Sequence, residues 1–249
     1  MNFIPGLSPA GYAVALRKEL KLTGNIDPFE IAQKIDVPVY YEDLDKIDGC
    51  LLKKAEKRRI LINKNILHIN RQRFTLAHEL GHLMIKSHGE EMYRCMASDI
   101  QRYRGVGHME NEANDFASEL LLPEADVQSI IKKRRLSMSL VKDISEDYGI
   151  SLTAAALKII RVCPDQGAVA LSEDGRVKWS FESKGFNHEI RKTILHENTA
   201  HQPGYACPTG IGQCLPKPRG KYFRKSTWSG TLDSSTGPAP LLKSLRQGC

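Results

Sequence analysis

The sequence predicts an α+β protein: helices plus a small antiparallel sheet, followed by a helical segment and a small β-containing C-terminal region. Three observations carry the prediction. Apolar residues recur at helical spacing in two stretches, Leu76, Leu80, Leu83 and Ala113, Phe116, Ala117, Leu120. Short β-branched runs with polar tips lie between residues 37 and 63, and an alternating pair of segments spans residues 169–181. With 41% hydrophobic and 26% charged residues in a chain of 249, there is enough apolar material for a buried core, which sets aside a disordered chain. No apolar run reaches the ~18 residues of a membrane span, and the N-terminus shows no basic and apolar leader pattern, so a cytoplasmic location is expected.

Taken in order, Ser8-Pro9 reads as an N-cap with proline at the first helical position, opening a helix toward Leu22. Asp27-Pro28-Phe29-Glu30 repeats the device with an acid where a capping box places one. Residues 37–41, 49–53 and 58–63 follow as strands of the antiparallel sheet, with Ala55-Glu56-Lys57 as a turn. Strand 58–63 is read as an exposed edge. One reading has it accepting an extended partner through main-chain hydrogen bonds, and the other leaves it a solvated edge protected by Lys57, Arg58 and Arg59.

The chemistry is concentrated in Phe74–His82, which contains His78, Glu79 and His82 as H-E-x-x-H. Residues four apart on a helix turn through about 400° and share a face, so two imidazoles can grip one metal ion. Glu79 sits about 100° round, where a carboxylate can reach a water molecule activated at the metal. Gly81 in mid-helix costs about 1 kcal/mol relative to alanine, which the close approach of another backbone would explain. A catalytic zinc site needs a third protein ligand. The helix predicted over residues 109–122, stopped by Pro123, offers Glu112, one turn from Phe116. Glu110 lies half a turn from it and Glu119 two turns on.

Arg71-x-Arg73-Phe-Thr-Leu-Ala-His-Glu-Leu-Gly-His, followed by Glu110-x-Glu112-Ala-Asn-x-Phe-Ala-x-x-Leu-Leu-x-Pro, resembles the ImmA/IrrE family of bacterial and phage metallopeptidases over roughly residues 10–180. The resemblance implies a zincin-like core, Zn2+ held by His78, His82 and Glu112, and Glu79 as catalytic base. It places Asn114 close to the site as a supporting partner. It further implies cleavage of a regulator, commonly a helix-turn-helix repressor encoded nearby. The competing expectation is a non-proteolytic, metal-containing regulator that binds DNA or a repressor.

The polar stretch 86–109 is read as a loop able to act as a lid, carrying Tyr93, Tyr103, His88 and His108 as candidate hydrogen-bond donors to an oxyanion. His88, six residues after His82, would fall off the shared helical face. Arg71 and Arg73 either orient acids near the site or form surface pairs. Residues 139–161 resemble a helix-turn-helix beside Lys132–Arg135. Because the second helix is mostly Ala, Leu and Ile, a packing role is favoured over DNA binding.

The expected organisation is a zincin-like domain over 1–128, a helical segment over 129–165, a β module over 166–201 and a basic, Pro/Gly-rich, loosely ordered tail over 202–249. Six of the twelve prolines lie between Pro203 and Pro240, and residues 217–249 carry seven Lys/Arg against Asp233, nearly all of the net +7. The six cysteines form no C-x-x-C pair and read as reduced thiols. His201, Cys207 and Cys214 match no standard zinc spacing.

Overall fold

The computed structural model, which describes residues 6–54, 57–89, 92–96, 107–165, 167–173, 176–184 and 240–244, begins with two helices opened by the devices read from the sequence. Helix α1 (Pro9–Glu19) has Ser8 as N-cap, its side chain accepting from the Gly11 amide at 3.1 Å. Helix α2 (Pro28–Lys34) has Asp27 accepting from the Phe29 amide at 3.0 Å. Each cap satisfies an amide that the helix itself leaves unpaired.

Strands β1 (Val39–Glu42), β2 (Ile47–Lys54), β3 (Lys57–Asn63) and β4 (Met92–Met96) form one sheet in the order β1-β3-β2-β4. β2 pairs antiparallel with β3 and with β4, whereas β1 pairs parallel with β3, so the sheet is mixed rather than wholly antiparallel. This corrects the expectation that strand 58–63 is an edge. β1 occupies its outer side, and the Ile60 amide already donates to the Pro38 carbonyl at 3.0 Å, consistent with the pressure to pair every backbone group. The edges are β1 and β4. β4 lies within the stretch expected to be a loop; residues 90–91 and 97–106 of that stretch, Tyr103 among them, lie outside the described residues.

Helix α3 (Ile69–Met84) lies against β2 and β3 and packs along helix α4 (His108–Leu121), which also contacts α1. Leu76 and Leu80 of α3, Phe116 and Leu120 of α4, and Leu51 and Ile62 of the sheet are fully buried. Arg73 fastens this body together: its Nη2 donates to Asn25 Oδ1 and the Ile26 carbonyl, both at 2.8 Å, and its Nε to the Gly149 carbonyl at 3.1 Å. Arg71 donates from Nε to Asp48 Oδ2 at 2.8 Å, tying the start of α3 to β2. Neither arginine forms the solvated surface pair that was one of its two readings.

The chain divides into two compact units, one formed by residues up to Asp126 with Ile144–Ser151, the other by Val127–Asp143 and the chain from Leu152. Helices α5 (Glu124–Ile131), α6 (Met138–Tyr148) and α7 (Leu152–Val162) follow α4. Six consecutive residues of α7, Ala155 to Ile160, are buried. A second sheet, in the order β6-β5-β7, joins β5 (Gly167–Glu173), β6 (Arg176–Glu182) and β7 (Pro240–Ser244). The predicted hairpin is β5-β6, and β7 comes from the tail expected to be loose; His201, Cys207 and Cys214 lie outside the described residues. Among the described residues no helix is long and apolar enough to cross a membrane.

Gly81 is where α3 and α4 touch. A Cβ there would lie 3.1 Å from Ala113 Cα, 3.2 Å from its carbonyl oxygen and 3.2 Å from Phe116 Cδ1. Two of these neighbours are backbone and have little freedom to retreat. Gly81→Val is therefore expected to destabilise the protein by about 1–3 kcal/mol through overpacking, measured by urea denaturation.

Candidate metal centre

Helical spacing places His78 and His82 one turn apart on α3, and packing removes both from solvent, each at 0% exposure. Their Nε2 atoms lie 3.1 Å apart. The carboxylate beside them comes from the first turn of α4: Glu110 Oε2 is 3.1 Å from His78 Nε2, and Glu110 Oε1 is 3.4 Å from His82 Nε2. Among the described residues these three form the candidate metal-holding group. The two imidazole nitrogens approach different oxygens of the carboxylate, and one ligand atom from each residue lies within 4.8 Å of the other two, close enough for the three side chains to converge on one ion.

The third acid at this point is Glu110, not Glu112 as the family resemblance implied. Residues two apart on a helix point about 200° apart, so the rotation that brings Glu110 to the histidines turns Glu112 away. Glu112 Oε2 instead lies 2.9 Å from His88 Nε2 and 3.4 Å from His108 Nδ1. Asn114, one turn beyond Glu110, sits behind the cluster with Oδ1 2.9 Å from His78 Nδ1. A carboxylate and an amide four apart, matching the four-residue step between the histidines, is the signal in the sequence that marks Glu110 over Glu112.

The remaining candidates separate clearly. Tyr93, on β4, is buried and stacks on His82 with ring centroids 4.2 Å apart and planes at 22°, its hydroxyl 4.0 Å from Met109 Sδ. His108 is 87% exposed at the start of α4, its Nδ1 3.4 Å from Glu112 Oε2. His88 is not one of the three metal-holding groups, in keeping with its spacing, yet α3 ends at Met84 and the chain beyond it returns to His82. His88 Nδ1 thereby comes within 3.0 Å of His82 Nδ1, on the side of that ring opposite the cluster.

Glu79 is fully buried beneath β2, and its charge acts on His78. Gly49 makes room for it. A Cβ at Gly49 would lie 2.7 Å from Glu79 Oε1 and 2.6 Å from Thr75 Cγ2, closer than atoms can approach. Gly49 had no role in the sequence reading, since a strand glycine signals a close approach without naming the partner.

His78 and Glu110 favour each other's charged form, whereas His82 is driven the other way. Burial pulls the His78 pKa down, but its hydrogen bond to Glu110 and the charges of Glu79 and Glu110 outweigh this and raise it. Burial, aided by the neighbouring imidazoles, lowers His82 to about 4 against the pull of Glu110. Glu110 is held well below the usual carboxylate range, because its bonds to the two histidines overcome the effect of burial.

A pair of imidazoles one turn apart, a carboxylate from a second helix and a buried glutamate beside the first imidazole form a candidate metal centre with the donor types of hydrolytic zinc sites. Residues 32–159, just over half of the chain, match the IrrE N-terminal-like domain, peptidase family M78. The chain belongs to that family, whose membership implies a metallopeptidase. No curated protein matches the chain. Among solved structures, a Mycobacterium tuberculosis transcriptional regulator is similar at 11% identity with a TM-score of 0.47. The match covers 72% of this chain and 56% of the regulator, so the chain spans just over half of that protein's length.

The sign of the pH response of the metal-free chain follows from His82. The unfolded chain takes up this proton near 6.5, the folded chain only near about 4, so protons favour unfolding as the pH falls between those values. His78, raised in the folded state, contributes a constant amount below 6.5, and Glu110, depressed, a constant amount above 4.5. Urea denaturation of metal-free protein is expected to show stability falling from pH 6.5 to 4.5, with a shallower slope in His82→Phe.

Proposed function

We propose that this chain is a zinc-dependent endopeptidase of narrow specificity, cutting a helix-turn-helix repressor or a similar regulator with Glu79 as general base. The observation that carries the reading is the meeting of His78, His82 and Glu110 within 3.4 Å, with the charge of Glu79 acting on His78. A purely structural zinc site has no use for a buried carboxylate beside its first ligand.

Two imidazoles and one carboxylate suit zinc in a tetrahedral site that keeps one position open. A bound zinc ion would polarise the scissile carbonyl and allow water to act as a nucleophile at neutral pH. Glu79 takes the proton from the attacking water and returns it to the leaving amine nitrogen. Asn114 accepts a hydrogen bond from His78 Nδ1–H, which leaves His78 Nε2 with its lone pair toward the cluster. Gly49 keeps β2 close over Glu79 and so helps to exclude bulk water from it.

β4 is the sheet edge associated with this site, because its Tyr93 stacks on His82 while its inner side pairs with β2. An extended substrate adding along β4 would be held through its backbone. This reading moves the docking edge from strand 58–63 to Met92–Met96. The burial of Ala155 to Ile160 supports a packing role for α7 rather than one in reading DNA bases, which needs exposed polar side chains.

The test is a cleavage assay with zinc-loaded protein and the helix-turn-helix repressor encoded beside it. Wild type is expected to cut at a defined bond. Glu79→Gln is expected to lower the rate about 100- to 10,000-fold, the usual contribution of general acid–base catalysis, while zinc affinity stays within a few-fold. A wild type that binds zinc and the repressor but leaves it intact would point to the non-proteolytic regulator instead.

A further inference from the structure

Behind His82, on the side away from the cluster, runs a chain of polar groups that the proposed reaction does not use. His82 Nδ1 lies 3.0 Å from His88 Nδ1, and His88 Nε2 lies 2.9 Å from Glu112 Oε2. His82 and His88 are both buried, and the Glu112 side chain is 22% exposed. The loop bearing His88 is held by Lys53, whose Nζ donates to the His88 carbonyl at 2.7 Å and the His82 carbonyl at 3.1 Å.

We propose that His88 and Glu112 form a positioning pair that fixes the tautomer and orientation of His82, and so sets how tightly the centre holds its metal. The inference rests on the metal reading above. Proton placement makes the chain directional. To offer a lone pair at Nε2, neutral His82 must carry its proton on Nδ1. That proton is donated to His88 Nδ1, which must then be an acceptor. Neutral His88 therefore carries its own proton on Nε2 and donates it to the Glu112 carboxylate. With both imidazoles neutral and Glu112 ionised, one arrangement satisfies every link, and it is the one that frees His82 Nε2.

The two ligand histidines are thus supported differently. His78 leans on the neutral amide of Asn114, whereas His82 leans through a second imidazole on a carboxylate. A hydrogen bond to such an outer partner makes a ligand imidazole more basic, and losing it typically weakens metal binding about 10- to 100-fold. The arrangement also gives Glu112 a role beside the site without making it a ligand.

The experiment uses the full chain and measures the zinc dissociation constant by competition with a chelator. Alongside it, the imidazole N–H resonances of the zinc form are recorded by proton–nitrogen correlation. His88→Ala is expected to weaken zinc about 10- to 100-fold and to shift the His82 Nδ1–H resonance. His88→Asn, whose Oδ1 takes the place of the Nδ1 acceptor, is expected to recover most of the affinity. Glu112→Gln is expected to shift the His82 resonance and to weaken zinc less than Glu110→Gln does.

Unchanged affinity and resonance in His88→Ala would overturn the proposal, as would a His88→Asn no better than His88→Ala, the mark of mere packing. A larger loss in Glu112→Gln than in Glu110→Gln would overturn it by making Glu112 the ligand. If His88→Ala fails to fold, the Asn and Gln variants decide. Failure of the wild type to bind zinc would overturn the metal reading itself. Zinc binding without cleavage would overturn only the peptidase reading, because this test reads metal affinity and not hydrolysis.

Discussion

Everything at the centre depends on how closely α3 and α4 approach at Gly81 and Ala113. Two histidines on one helix supply half of a metal site, and a carboxylate of ordinary length must arrive from elsewhere. A side chain at Gly81 would press on the Ala113 backbone and hold α4, with Glu110, away from the imidazoles. The helical propensity lost at Gly81, about 1 kcal/mol, is offset by the packing of Phe116 and Leu120 that the approach permits. The same economy of atoms recurs on the other side of α3, where Gly49 lets β2 cover Glu79. A glycine on each flank of the helix allows neighbouring backbones to close around charged side chains that would otherwise meet bulk water.

Burial then gives these charges their effect. In a low-dielectric setting, imidazole and carboxylate groups interact strongly, and His78, His82 and Glu110 lie close enough together to converge on a single ion. Stacking of Tyr93 on His82 and the Lys53 bonds to the carbonyls of His82 and His88 limit ring and loop movement. Such fixing lowers the reorganisation needed when metal binds.

What the sequence disclosed and what it withheld follow one rule. Features set by the period of a single helix were legible: His78 with His82, Glu79 beside them, the caps at Ser8 and Asp27, and the close approach at Gly81. Features set by contacts between distant segments were not. The rotation of α4 that selects Glu110 over Glu112 comes from packing against α1 and α3, and a face that includes Ala113, Phe116, Ala117 and Leu120 is broad enough to admit either acid. The interior place of β3 required β1 to pair with it in parallel across the intervening hairpin. His88 is not among the three metal-holding groups, as its spacing implied, but its contact with His82 was not legible because it depends on the chain beyond Met84, where the helix stops. Tyr103 and most of the basic tail fall outside the described residues.

The claim on which the rest stands is that His78, His82 and Glu110 hold one metal ion. A crystal structure of the zinc-loaded chain, with the ion located by its anomalous scattering, tests it most directly. The expected density lies between Nε2 of His78, Nε2 of His82 and the carboxylate of Glu110, with Glu112 still on His88. An ion ligated by Glu112 with Glu110 turned away, or an ion bound elsewhere with this cluster empty, would contradict the account.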